Sequence, residues 1–150
     1  MFRSTACFFS LLFIVAFIGC GSSSIRVEYV EGIVTLDGEP VSEATMTFLP
    51  KTETPPMEMA TGMTDANGAY KVSSVTGKAV AGAVAGEYKV AISKVLITAK
   101  EVEYGAIRGP HDIQQTHLLP AIYADYQNTP LTATVNKGKN KIDFELKSKP

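Results

Sequence analysis

Short runs of alternating apolar and polar residues, separated by turn residues, fill this chain from residue 26 onward. In the clearest run, residues 87–94, Tyr88, Val90 and Ile92 share one face. Successive side chains of a β-strand point to opposite faces, so such a run buries one face and exposes the other. No helical period persists for three turns. The sequence therefore predicts an all-β domain of about seven strands with the spacing of a β-sandwich.

The predicted strands are bounded by Gly, Pro, Asn and Asp, the usual turn residues. They cover residues 27–36, 44–49, 60–64, 69–74, 87–94, 131–135 and 142–146. We expect the last two to form a hairpin around the turn at residues 136–140. On the two strands with the clearest alternation, one face should point into the core; its residues are Tyr88, Val90, Ile92, Ile142, Phe144 and Leu146.

Two stretches do not follow this pattern. Residues 77–86 contain only Gly, Ala, Val and one Lys, and we expect a surface loop there. Residues 95–128 form a connection far longer than the ~12–15 residues that unstructured connections usually have, and such segments often carry function. We therefore place the candidate binding site in this segment. The alternative for residues 118–123 is that they only cover an open sheet edge or fill the mouth of the sandwich. The candidate binding residues are Tyr104, Arg108, His111 and His117.

The N-terminus has the pattern of an export signal. Arg3 precedes an apolar run over residues 7–18 that is interrupted only by Ser10, and Gly19 follows. The run is too short to span a hydrocarbon core of ~30 Å as a helix, so we predict a signal peptide over residues 1–19.

The ending Phe-Ile-Gly-Cys at residues 17–20 resembles a bacterial lipobox, with Phe17 where Leu is usual. The resemblance implies cleavage before Cys20, a diacylglyceryl group on its thiol, and a lipidated tether over residues 20–25. It places the protein in the cell envelope, with the outer membrane favoured because Gly21 stands where an aspartate marks inner-membrane retention. An ordinary signal peptide, which leaves Cys20 as a free thiol, and an uncleaved short anchor remain the alternatives.

Cysteine content and charge narrow the functional class. The two cysteines are Cys7, inside the signal, and Cys20, so the mature chain has no thiol for a disulfide and depends on its core. Residues 26–150 suffice for one domain. Thirteen of the 14 basic residues and all 15 acidic residues follow residue 19, and the resulting charge near −2 excludes strong attraction to nucleic acid.

The motifs with possible chemistry favour structural interpretations. Asp65-Ala66-Asn67-Gly68 lacks the later oxygen ligands of a calcium loop and predicts a tight turn. His111 and His117 have neither a cysteine nor a third histidine beside them, so we expect no metal and no cofactor. The serines lack the context of a catalytic nucleophile, and we expect no enzyme.

Seven segments of the chain carry a family resemblance. They are Val-Glu-Gly-Ile-Val-Thr-Leu-Asp-Gly-Glu-Pro-Val at 30–41, Thr-Asp-Ala-Asn-Gly-Ala-Tyr at 64–70, Gly-Glu-Tyr-Lys-Val at 86–90, and residues 44–48, 118–123, 131–135 and 143–146. Together they resemble the carboxypeptidase regulatory-like, or transthyretin-like (prealbumin-like), domain, in the small lipoprotein type of planctomycete-like bacteria. The resemblance implies a seven-stranded Greek-key β-sandwich over residues 26–150, without catalytic residues. Val84-Ala85 departs from the family, which often has a proline there.

The leading functional prediction is a non-enzymatic, lipid-anchored envelope module with a binding or structural role, whose partners are the membrane and an envelope protein or glycan. A ligand- or carbohydrate-binding surface module is the alternative. Hydrolases on a transthyretin-type fold use an early histidine, and this chain has none before His111. Adhesin-like isopeptide modules need a lysine on the first strand, and none occurs at residues 22–50.

Overall fold

The computed structural model describes residues 26–52, 58–75, 80–99 and 113–149. Within these ranges the protein is all-β, with one short helix, as the alternation predicts. The elements are β1 Tyr29–Leu36, β2 Glu39–Pro40, β3 Thr45–Pro50, β4 Ala60–Met63, β5 Ala69–Ser74, β6 Val80–Ala81, β7 Gly86–Ser93, β8 Val95–Ala99, β9 Ile113–His117, α1 Ala121–Ala124, β10 Thr132–Val135, β11 Lys139–Lys141 and β12 Phe144–Leu146.

Ten of these strands form one curled sheet. Its main path runs β10-β7-β3-β4-β5-β1-β11, with β12 and β2 paired to β1 and β6 paired to β5. The neighbours along this path are antiparallel, except that β1 pairs in parallel with β11 and with β12. β8 and β9 form a separate two-stranded sheet.

The core lies inside the curled sheet and is centred on Phe48, which has no solvent exposure. The Phe48 ring centroid lies 5.9 Å from that of Tyr88, 6.1 Å from that of Phe144 and 6.4 Å from that of Tyr70. The predicted inward faces of β7 and β12 are confirmed, because their apolar side chains are buried. Ile142 differs: it lies just before β12 and is only partly buried at the edge of the core.

The tight turn predicted at residues 65–68 is confirmed. The Asp65 carboxylate accepts the backbone N–H groups of Asn67 at 2.8 Å and Ala69 at 3.0 Å. Gly68 has φ of +73°, which glycine adopts without strain. The turn joins β4 to β5 and brings Gly68 against β1, where its carbonyl accepts the Val34 N–H at 2.9 Å.

The predicted C-terminal hairpin is wrong. β10 pairs with β7 at one end of the main path, whereas β11 and β12 pair with β1 at the other end. The buried Asn140 explains the connection, because its amide donates to the backbone carbonyls of Asn136 at 2.9 Å and Tyr29 at 3.2 Å. These bonds hold the segment after β10 to the start of β1 instead of folding it back on β10.

The loop predicted at residues 77–86 is wrong in part. Within the described residues of this stretch, β6 pairs with β5, and Ala83 forms an isolated bridge with Glu28. Gly82 explains the close approach, since a Cβ there would lie 2.4 Å from the Glu28 carbonyl oxygen. Small side chains thus let this stretch join the edge of the sheet.

Candidate functional site

The structure describes one of the four candidate binding residues. His117 is the exposed last residue of β9. Tyr104, Arg108 and His111 lie outside the described residues, as do Cys20, the signal peptide and the tether. The described residues therefore do not test whether these four candidate binding residues come together.

The long connection at residues 95–128 is not an unstructured loop, which corrects that expectation. Its first part contains β8 and β9, and its second part contains α1. Leu119 and Tyr123 belong to the core, and the Tyr123 hydroxyl accepts the Lys147 N–H at 2.9 Å. Leu119 and Tyr123 therefore act as scaffold, as the structural alternative for residues 118–123 expects, whereas Leu118 stays exposed.

We call the pair β8–β9 the ribbon. Its strands are antiparallel, with Val95 opposite His117 and Ile97 opposite Gln115. The run Val-Leu-Ile-Thr at residues 95–98 favours a strand because β-branched side chains suit the extended backbone. This run is the signal that sequence reasoning missed, because the length of the whole segment directed attention to its polar residues.

The hydrogen-bond phase of the ribbon defines which backbone groups point outward. The Leu118 N–H donates to the Lys94 carbonyl at 2.9 Å, which makes residues 94 and 118 a hydrogen-bonded pair. In an antiparallel ladder such pairs alternate with pairs whose N–H and C=O groups point away from the partner strand. Val95 and Ile97 on β8, and Gln115 on β9, therefore direct their backbone groups outward.

The ribbon exposes its large apolar side chains. The exposed fraction is 39% for Val95, 53% for Leu96 and 64% for Ile97, and Leu118 beside the ribbon is 45% exposed. The sequences of β8 and β9 contain no acidic or basic residue other than His117. An uncharged strand edge with exposed apolar side chains is a surface on which another chain can pair.

The ribbon leaves the domain at the end opposite to the start of β1. β1 and β7 run in the same direction along the sheet, as the antiparallel steps between them require. At their start, the Glu28 carboxylate accepts the Gly138 N–H at 2.8 Å and forms an ion pair with Arg26 at 3.0 Å.

At the other end of these strands, Leu36 and the ribbon base residues Lys94 and Leu118 line one cavity of about 230 Å³. The Lys94 ammonium also donates to the Ser42 hydroxyl at 3.3 Å. β1 and β7 each have eight residues and extend over ~26 Å at ~3.3 Å per residue. This length separates the start of β1 from the ribbon.

A cleft of about 510 Å³ lies over β1, β5 and β11. Glu31, Asp65, Lys71 and Lys141 line it, so its acidic and basic side chains balance. The neighbouring Tyr70 hydroxyl donates to the Ile142 carbonyl at 2.6 Å, and burial raises the pKa of Tyr70. The cleft thus combines these charged side chains with the apolar Ile33 and Met63.

Gly32 allows the close backbone approach beneath this cleft. A Cβ at that position would lie 1.8 Å from the Ile142 carbonyl oxygen, a distance that excludes any side chain. The contact brings β1 against the segment between β11 and β12, where the Ile142 N–H donates to the Glu31 carbonyl at 2.8 Å.

In the part of the chain that the structure describes, no group of three His, Cys, Asp or Glu side chains is placed to hold a metal ion. Nor does any helix in those ranges have the length and hydropathy needed to cross a membrane.

No family model matches the chain, and no significantly similar curated protein or solved structure was found. The ribbon and the cleft are therefore the basis of the proposed function.

Proposed function

We propose that this protein is a non-enzymatic binding module of the bacterial cell envelope, held to the membrane by a lipid on Cys20, with the ribbon as its binding surface. The observation that carries the proposal is the exposed, uncharged β8–β9 pair, on which Leu96 and Ile97 are more than half exposed. Exposed apolar side chains that lie together on one uncharged strand are typical of a surface that binds a partner.

The position of the ribbon supports the same function. A lipid on Cys20 would hold the membrane close to the start of β1, because only a few residues separate Cys20 from Tyr29. The ribbon leaves the other end of the domain, so it would face away from the membrane. Partners in the surrounding envelope would then reach it without competing with the lipid surface.

The finer fold assignment is part of this proposal. We assign the curled sheet to the carboxypeptidase regulatory-like type of Greek-key β-sandwich. In this arrangement β10-β7-β3-β4 and β5-β1-β11 form two layers that enclose Phe48. The aromatic contacts from β3 to Tyr70 on β5 and to Phe144 on β12 support two facing layers.

Replacement of the ribbon tests the binding surface. In the full chain, residues 95–117 are exchanged for a short Gly-Ser linker, and partners are captured by cross-linking in living cells and identified by mass spectrometry. We expect the thermal midpoint to stay nearly unchanged, because none of the ribbon side chains that the structure describes belongs to the core, and the captured partners to disappear.

The matched control replaces exposed apolar residues that line neither the ribbon nor the cleft, with Met59→Ala and Val75→Ala. This double variant should keep the captured partners. An unchanged partner set after ribbon replacement, or a collapse of the thermal midpoint, would contradict the proposal.

The anchor is tested by the intact mass of the protein from the membrane fraction. We expect a chain that begins at Cys20 and carries a diacylglyceryl group, and Cys20→Ser should remove it from that fraction. Cys7→Ser is the matched control and should change nothing, because residue 7 would leave with the signal peptide. An unmodified chain beginning at residue 20 would exclude the lipid anchor.

Binding of a small polar ligand or glycan in the cleft is the second candidate function, favoured by the two lysines and two carboxylates that line it. Titration of glycan fragments from the envelope into the full chain tests it. Lys71→Ala with Lys141→Ala should abolish binding, while Lys147→Ala, an exposed lysine that is not among those lining the cleft, should not.

A further inference from the structure

We propose that the ribbon binds a second copy of this chain through the free edge of β8, in an antiparallel two-fold pairing centred on Ile97. This inference rests on the proposed function, because it names the partner of the same ribbon. The edge is free within the described residues, where β8 pairs with β9 alone.

The backbone of β8 is in the correct phase for this pairing. Val95 and Ile97 direct their N–H and C=O groups away from β9, and the alternation places Ala99 in the same phase. With Ile97 opposite Ile97 of the second copy, the two residues exchange both hydrogen bonds. Val95 then lies opposite Ala99 of the second copy, so every outward group of β8 gains a partner.

The side chains on β8 also match themselves. Ile97 would contact Ile97 of the second copy, and Leu96 would lie opposite its Thr98. These contacts involve Leu96 and Ile97, which are more exposed than Val95, and β-branched cross-strand pairs stabilise sheets. The edge of β9 is the weaker candidate, because a pairing centred on Gln115 would oppose glutamines and leave the β8 side chains exposed.

Charge separates this edge from another edge of the same molecule. A two-fold pairing sets like residues near each other, so any charge on the strand would meet its own kind. β11, at the end of the main sheet path, carries the exposed Lys139 and Lys141, which oppose such pairing. β8 carries no charged residue, and self-pairing there meets no repulsion.

Sheet stability gives a further reason. An isolated two-stranded ribbon is marginally stable in water, and three or more strands with a hydrophobic face, or packing against a helix, are needed for independent stability. Joining two ribbons through β8 produces a four-stranded sheet in the order β9-β8-β8-β9. The pairing therefore adds strands to the ribbon and gives its apolar side chains cross-strand neighbours.

Site-specific photo-cross-linking of the full chain in living cells tests the proposal. Two differently tagged copies are produced together, with a photoreactive residue at position 98 of one copy. We expect a covalent product of the two copies. Ile97→Pro should lower its yield by about tenfold or more, because proline removes the outward N–H and leaves the carbonyl opposite it without a donor.

Gln115→Pro is the matched control. The Gln115 N–H also points outward, so neither proline breaks the ladder between β8 and β9, but only Ile97→Pro affects the β8 edge. The yield should therefore survive Gln115→Pro. Thermal midpoints of both variants, measured on the same preparations, should match that of the unsubstituted chain.

Absence of a two-copy product, or equal loss of yield in the two proline variants, would overturn the inference. If residue 98 instead joins a different protein and the Gly-Ser replacement abolishes that product, the inference fails while the proposed function stands. If neither product forms and no partner depends on the ribbon, both fail.

Discussion

The sheet around Phe48 and the β8–β9 ribbon are built from similar residues but use them differently. β3 and β7 bury Phe48, Val90 and Ile92 completely. The ribbon, with the same β-favouring residue types, leaves Leu96 and Ile97 more than half exposed. The comparison shows that forming a strand and burying its side chains are separate events.

Burial requires a second layer. The ring of Phe48 on β3 meets aromatic rings from β5, β7 and β12, all within 6.4 Å between centroids. β8 has a partner strand along its length but remains outside the core cluster. Because apolar burial contributes most of the free energy of folding, the two regions should respond very differently to the same kind of substitution.

The largest effect is expected for Phe48→Ala. Removal of a fully buried aromatic ring should lower the free energy of unfolding by about 3–5 kcal/mol, through lost burial and the cavity left behind. Urea unfolding followed by circular dichroism measures the change, and Phe144→Ala should fall in the same range. A loss below about 1 kcal/mol would mean that Phe48 is not the centre of the core.

An intermediate effect is expected for the buried hydroxyl of Tyr70. Tyr70→Phe removes its hydrogen bond to the Ile142 carbonyl and should cost about 1 kcal/mol near pH 7, measured by the same unfolding experiment. Tyr126→Phe is the matched control, because Tyr126 is exposed, and it should cost much less.

The same tyrosine predicts alkaline sensitivity. Burial, with a smaller contribution from Asp143, raises the pKa of Tyr70 above its ordinary value of 10.0, and burial also raises that of Tyr88. Above pH 10 the unfolded chain therefore loses these protons before the folded chain does, and the free energy of unfolding falls as pH rises.

Tyr70→Phe should flatten that fall, whereas Tyr126→Phe should leave it unchanged. Unfolding curves recorded between pH 8 and pH 11 give both slopes. Equal slopes in the two variants would show that Tyr70 ionises as freely in the folded protein as in the unfolded chain.

The smallest effect is expected in the ribbon. Ile97→Ala should change the free energy of unfolding by no more than about 0.5 kcal/mol, because the side chain is 64% exposed. The measurement is made at dilution, where copies of the chain are separate. A cost above about 1 kcal/mol would place Ile97 in a packed environment and remove the contrast with Phe48.

Local chemistry made part of the fold predictable. The strand over residues 69–74 has the predicted bounds, and Tyr88, Val90 and Ile92 point inward as their alternation requires. The turn at Asp65 was also predictable, because Asp, Asn and Gly form it through bonds to their own neighbours. In each case the deciding contacts lie within a few residues of one another.

The candidate site was less predictable. Length alone directed attention to residues 95–128 and to His117, while the exposed apolar side chains of Leu96 and Ile97 were missed. An apolar run has the same sequence pattern whether its side chains are buried or exposed. Whether a face is exposed depends on what the rest of the chain places over it, and Leu119 and Tyr123 in the same segment are buried.

From the sequence alone, the all-β class, most strand positions and the inward face of each clear strand were determined, because a period of two residues is a local property of the extended backbone. Only the tertiary structure decided which strands pair. It separates β10 from β11 and β12, pairs the latter two with β1, and leaves β8 and β9 outside the main sheet. Strand pairing depends on hydrogen bonds and packing between residues far apart in the chain, and no local pattern records which distant strand supplies them.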